Sequence, residues 1–125
     1  MRTLIVDDNP MMAEVLKINM TYLGHDVDAA EDGIEAIAKL EKNHYDVVIT
    51  DGYMPRMTGY DLCQFVKSKF SSTFIIGVTG SKNLQGFKDA GADAWFAKPF
   101  QFSKLKQAIE SHFWSSTGDC QQEAM

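Results

Sequence analysis

The feature that most restricts the fold of this chain is an alternation. Short apolar runs rich in β-branched residues are each followed by a longer stretch whose apolar positions recur at spacings of three and four. The runs fall at residues 3–6, 27–29, 47–50, 74–78 and 94–96, and they predict strands. Met12, Val15, Leu16 and Leu23 mark the first helical stretch, Ile34, Ile37 and Leu40 the second, and Leu62, Phe65 and Val66 the third. A shorter one spans residues 83–90, and Leu105, Ala108, Ile109 and Phe113 mark the last. Strand followed by helix, repeated along a chain, predicts right-handed crossovers and a parallel sheet covered on both faces. Leu4-Ile5-Val6 and Val47-Val48-Ile49 are apolar without interruption, as strands buried on both faces must be; half-exposed antiparallel strands would alternate.

The punctuation agrees with that division. Asn9-Pro10 places a capping side chain before a proline at the first helical position, and Gly24 and Gly91 fall where helix ends call for a left-handed residue. At 125 residues the chain has the size of one domain. The body is expected over residues 1–114. Residues 115–125, mostly Ser, Thr, Gly, Gln and Glu, read as a polar tail or the start of a linker.

Charge and cysteine usage remove several function classes. With 12 Lys and Arg against 17 Asp and Glu, the net charge of -5 argues against direct binding of a nucleic-acid backbone. Cys63 and Cys120 are too few for a disulfide framework, and a reducing compartment fits them. The first apolar run stops at Asp7-Asp8, too short for a secretory signal core, and none approaches the about 20 residues of a membrane span. A cytoplasmic location without membrane insertion is the expectation.

In an open parallel sheet the ligand crevice lies outside the carboxyl ends of the strands. The residues that follow the strands here are Asp7-Asp8, Asp51, Thr79-Gly80 and Lys98-Pro99. Carboxylates brought together repel one another unless a cation or shared protons compensate, and an oxygen-only donor set favours Mg²⁺ over Zn²⁺. A lysine and a hydroxyl facing them suit an incoming anion. Together these groups describe a phosphoryl-transfer site. Each piece alone has a plainer reading: Asp8 and Asn9 as helix caps, Asp51-Gly52 as a turn, Thr79-Gly80 as a helix start, Lys98 as a surface lysine. Their joint placement at four strand ends favours chemistry.

From about Arg2 to Phe113 the chain resembles the receiver domain of two-component response regulators. The resemblance rests on Asp7-Asp8, on the run Asp51-Gly52-Tyr53-Met54-Pro55-Arg56-Met57-Thr58-Gly59, on Thr79-Gly80, and on Gly91-Ala92-Asp93-Ala94 leading to Lys98-Pro99-Phe100. It implies a flavodoxin-like, doubly wound α/β fold with strand order 2-1-3-4-5. It implies that Asp51 is the phosphoacceptor, and that Asp8, Asp51 and the backbone carbonyl of Tyr53 ligate Mg²⁺ with Asp7 acting through water. Lys98 and Thr79 would hold the phosphoryl oxygens, with Lys98-Pro99 a cis peptide, and Thr79 and Trp95 would form the switch. The implied phosphodonor is a sensor histidine kinase or a phosphotransfer protein. The expected target face is the fourth helix, fifth strand and fifth helix, bearing Lys82, Phe87, Trp95, Lys104, Lys106 and Gln107.

Two departures stand out. Trp95 takes the place of the Tyr or Phe usual three residues before the lysine, and its indole needs a larger pocket and donates through nitrogen only. Tyr53 puts an aromatic two residues after the acceptor, where it is expected to lie across the site mouth, hinder water and lengthen the life of the phosphorylated state; Gly80 leaves the phosphate accessible. Met54, Pro55 and Met57 are expected to shape the loop, Met11 and Met12 to lie in the core or at its rim, and His25, His44 and His112 to lie away from the strand ends.

The resulting expectation is a signalling phosphoacceptor and not a metabolic enzyme. A receiver-fold interaction module that works without phosphorylation is the alternative; its mark would be loss of an acidic residue or of the lysine, and none is lost. An aspartyl-phosphate hydrolase would carry Asp-x-Asp after the first strand, where Asp7-Asp8-Asn9 stands. Ala94 and a fifth helix without arginine disfavour the salt-bridged dimer of one DNA-binding subfamily. Without a second domain, output through a separate protein is expected.

Overall fold

A computed structural model describes residues 1–80 and 83–115. Five strands, β1 (Arg2–Val6), β2 (Asp26–Ala30), β3 (Val47–Asp51), β4 (Phe74–Thr79) and β5 (Ala94–Ala97), alternate with five helices: α1 (Pro10–Tyr22), α2 (Gly33–Lys42), α3 (Gly59–Lys69), α4 (Leu84–Ala90) and α5 (Phe102–Ser115). The strands form one sheet in the order β2-β1-β3-β4-β5, every pair parallel, as the resemblance implied. Each element lies within a residue or two of its expected place. The expected tail falls, beyond Ser115, outside the described residues.

Local chemistry sets the boundaries. Asn9 caps α1, its side chain accepting from the Met11 and Met12 amides, and Pro10 occupies the first turn. Asp32 caps α2 by accepting from Glu35 N, while Glu35 Oε1 accepts from Glu31 N, a reciprocal arrangement that fixes the helix start. Thr58 and Asn83 cap α3 and α4. Gly24 and Gly91 adopt φ of 94° and 92°, the left-handed backbone that only glycine takes without strain.

Side-chain alternation along the strands divides the interior into two layers. Leu4, Val6, Val48 and Ile75 pack with Ala36, Leu40, Leu62, Val66 and Phe87, on the face covered by α2, α3 and α4. Ile5, Val47, Ile49 and Ile76 pack with Leu16, Met20, Leu105 and Ile109, on the face covered by α1 and α5. Cys63 is buried and donates to the Ala90 carbonyl, and burial pushes its thiol up to about 11. Cys120 lies outside the described residues.

Two apolar expectations need correction. Phe87, assigned above to an exposed partner face, is fully buried beneath β4. Met11 is 77% exposed and not at the core, and Val15 is 51% exposed. With Ile18 and Tyr22, they make an outward apolar stripe on α1, opposite the face that buries Leu16 and Met20. The spacing of four, three and four residues was visible in the sequence; which of two apolar faces of one helix meets the sheet was not.

Candidate functional site

The parallel register brings the chemistry together. Val6 pairs with Thr50, Thr50 with Gly77, Asp51 with Val78 and Thr79 with Ala97, so the residues that follow these pairs emerge at one end of the sheet. Asp7 follows Val6 directly, and Asp51 ends β3 on the neighbouring strand. Asp7, Asp8 and Asp51 can each offer a carboxylate oxygen such that the three lie within 4.8 Å of one another.

Burial grades this trio. Asp7 is buried, Asp51 partly buried and Asp8 exposed. Asp7 is held by its own backbone, whose amide donates to the Ala30 carbonyl at 3.1 Å, and its Oδ1 accepts from Asn9 N at 2.9 Å. Asp7 Oδ2 and Asp51 Oδ1 both lie 3.4 Å from Lys98 Nζ, so one ammonium bridges two carboxylates from two strands. Asp51 Oδ1 also accepts from Gly52 N at 2.9 Å. Burial pushes the Asp51 carboxyl up from its ordinary range; Lys98 opposes that shift, and the charge of Asp7 adds to it.

Lys98 and Thr79 are joined through the backbone, Lys98 N donating to the Thr79 carbonyl at 2.8 Å. The Lys98-Pro99 peptide is cis, as expected. Thr79 is buried, and its Oγ1 lies 3.0 Å from where a Cβ on Gly52 would stand, so the hydroxyl faces the residue after Asp51. The side of the crevice beyond Asp7 and Asp8 opens into a cleft of about 450 Å³ bounded by Pro10, Glu14, Lys17 and Glu35.

Tyr53 stands on the loop after β3, 52% exposed, with its ring edge-on to Tyr60 at 5.4 Å between centroids. Trp95 is half-buried on β5, in register with Gly77 and packed against the α2–α4 layer. Lys104, Lys106 and Gln107 are exposed on α5, while Lys82 lies outside the described residues. The three histidines lie away from the crevice. His25 hydrogen-bonds Thr3 Oγ1 at 2.8 Å, His44 faces Asp46 at 3.2 Å, and His112 stacks on Phe74 with centroids 4.3 Å apart.

Sequence reasoning missed how closely the loop is fastened. Gly59 opens α3 directly under Asp51, where any Cβ would collide with the Asp51 carbonyl, and its amide donates to the Gly52 carbonyl at 2.9 Å. Arg56, at φ of 72°, turns its guanidinium onto Asp32, with Nε 3.0 Å from Oδ2, and ties the loop to the start of α2. Tyr60 was not singled out either. Its signal was an aromatic placed immediately after the glycine that opens a helix.

Comparison with known proteins agrees with this geometry. A family model described as the response regulator receiver domain matches residues 3–110. The chain is similar to the sensor histidine kinase RcsC of Escherichia coli K12, 34% identical over 112 residues that make up 87% of this chain and 12% of that protein. It is similar to the response regulator MprA of a Mycobacterium species, strain KMS, 34% identical over 83% of this chain and 46% of that protein. It therefore spans less than half the length of these relatives. Among solved structures it resembles the response regulator TrrA of Thermotoga maritima, determined in complex with Mg²⁺-BeF, with a TM-score of 0.81, 33% identity and coverage of 88% of this chain and 96% of that one.

Proposed function

This chain belongs to the response regulator receiver domain family, and from that premise we propose that it is a phosphorylation-controlled signalling module whose acceptor is Asp51. The observation that carries this reading is the convergence of Asp7, Asp8 and Asp51 from two strand ends on one crevice that Lys98 faces. Three acidic groups so close are costly unless a cation is shared among them, and oxygen donors alone suit Mg²⁺. Asp8, Asp51 and the Tyr53 carbonyl would hold the ion, with Asp7 acting through water. Bound there, Mg²⁺ supplies positive charge to the equatorial oxygens of a transferring phosphoryl group.

The chain's own residues supply the rest. A carboxylate oxygen of Asp51 attacks the phosphorus of a phosphohistidine on a sensor histidine kinase or phosphotransfer protein. The new P–O bond forms as the P–N bond breaks, and the departing imidazole keeps the electron pair and takes a proton from solvent. The Lys98 ammonium, which lies between Asp7 and Asp51, neutralises the incoming charge, and Thr79 donates its hydroxyl to a phosphoryl oxygen. The domain is thus a phosphoacceptor that acts on itself, with Thr79 and Trp95 as its switch. Its output surface is α4, β5 and α5, through Trp95, Lys104, Lys106 and Gln107.

Incubation with Mg²⁺ and acetyl phosphate, followed by intact mass, tests the reading. The parent is expected to gain one phosphoryl group and Asp51→Asn none. A gain that survives in Asp51→Asn would overturn the acceptor assignment, and no gain in the parent would favour a module that works without phosphorylation.

A further inference from the structure

Tyr60 is the second residue of α3 and touches both the acceptor loop and α4. On the α4 side its hydroxyl donates to the Asn83 carbonyl at 2.9 Å, and Asn83 is the residue whose side chain caps α4 by accepting from Gly86 N at 3.0 Å. A Cβ on Gly86 would stand 2.7 Å from Tyr60 Cε1, so the first turn of α4 rests directly on the ring. The ring also packs on Phe87, centroids 4.4 Å apart. On the acceptor side, a Cβ on Gly52 would stand 2.9 Å from Tyr60 Oη and 3.0 Å from Thr79 Oγ1. Both hydroxyls therefore approach the backbone of the residue that follows Asp51.

This placement makes one oxygen sensitive to both regions. Anything that moves Thr79 or Gly52 changes the space beside Tyr60 Oη, and Oη donates to the carbonyl of the residue that caps α4. A seven-residue helix has few internal bonds to resist a shift of its first turn. Packed neighbours tend to respond in discrete steps, so a small displacement at the crevice can be enlarged at such an element.

We propose that Tyr60 is a positioning residue that couples the state of Asp51 to the first turn of α4, an inference that rests on the phosphoacceptor reading above. With Asp51 unmodified, Tyr60 Oη holds the Asn83 carbonyl and the α4 cap stays in place. When Thr79 is drawn to the phosphoryl group, space opens beside Gly52. The Tyr60 hydroxyl moves into it, and Asn83 and the α4 cap are released. The route runs through α3 and does not require Trp95 to move.

Amide hydrogen exchange across residues 83–90 of the full chain, with and without Mg²⁺ and beryllofluoride, tests the coupling. In the parent, loading is expected to speed exchange there by several-fold, on the order of 5. Tyr60→Phe keeps the ring and removes only the donor. It is expected to exchange at close to the loaded rate before loading, to change by less than about twofold on loading, and still to take beryllofluoride. Tyr60→Phe that reproduces the parent in both states overturns the coupling. A parent that does not take beryllofluoride, or an Asp51→Asn variant that responds as the parent does, overturns the phosphoacceptor reading and the coupling with it. Should Tyr60→Phe fold poorly, the Tyr60 Cζ chemical shift of the parent decides: it is expected to move on loading as the hydroxyl changes partner, and a shift that stays put overturns the coupling.

Discussion

The ring of Phe87 lies against Gly77 of β4 so closely that a Cβ at Gly77 would fall inside its contact distance. The contact joins the middle of α4 to the strand that ends in Thr79, and Phe87 is fully buried by it. Gly77→Ala is therefore expected to destabilise the domain by about 1–3 kcal/mol, since the ring has backbone on one side and the Tyr60 ring on the other. Phe87→Ala, which leaves a cavity, is expected to cost about 3–5 kcal/mol. Urea unfolding of both variants measures this. A Gly77→Ala midpoint equal to the parent's would show that the ring moves aside freely.

Asp32 links acid stability to the acceptor loop. Its carboxyl is held below the usual range, first by the Glu35 amide that it caps and then by Arg56. A carboxyl depressed in the folded state contributes stability that is complete above its ordinary pKa of about 4 and is lost as pH falls through the lower folded value. Asp32→Asn is expected to be less stable than the parent at neutral pH by on the order of 1 kcal/mol, and the gap is expected to narrow as pH falls below the ordinary carboxyl range. Urea midpoints measured across the acid range check this; a gap that is constant with pH would exclude the charge as its source.

Tyr53 stands two residues after Asp51 on the loop that follows β3, with its ring edge-on to Tyr60. If it hinders the water that would attack the phosphorylated Asp51, Tyr53→Asn will dephosphorylate faster, by roughly 3- to 10-fold, which corresponds to about 0.6–1.4 kcal/mol in the barrier. The decay of the phosphorylated species after removal of donor is the measurement. An equal or slower rate in the variant sinks the idea.

Trp95 offers an optical reading of the switch. In a Trp114→Phe background, its emission is expected to change when Mg²⁺ and beryllofluoride are added, because a half-buried indole at the end of the sheet reports on the packing between β5 and α4. Emission that stays constant, in a sample shown by mass or calorimetry to be loaded, would remove Trp95 from the switch and leave the α3 route.

The sequence by itself determined the alternation, the parallel sheet and the identity of the residues at the strand ends, because those depend on periodicity and on local capping. Asn9-Pro10, Gly24 and Gly91 act where their neighbours in sequence predict, and uninterrupted apolar runs become central strands because only those strands are covered twice. Asp7, Asp51 and Lys98 were legible for the same reason: parallel strands place all their carboxyl ends on one side. What tertiary structure alone decided is which apolar surface is used, and what stands within a few ångströms of the site. Phe87 is buried and Met11 and Val15 face outward because the packing of α4 and α1 on the sheet, and not their periodicity, selects the inward face. Gly52, Gly59 and Gly77 read as ordinary glycines until Tyr60, Asp51 and Phe87 respectively occupy the space that a side chain would need. Close packing is a property of pairs that meet only on folding, and no pattern within one element encodes it.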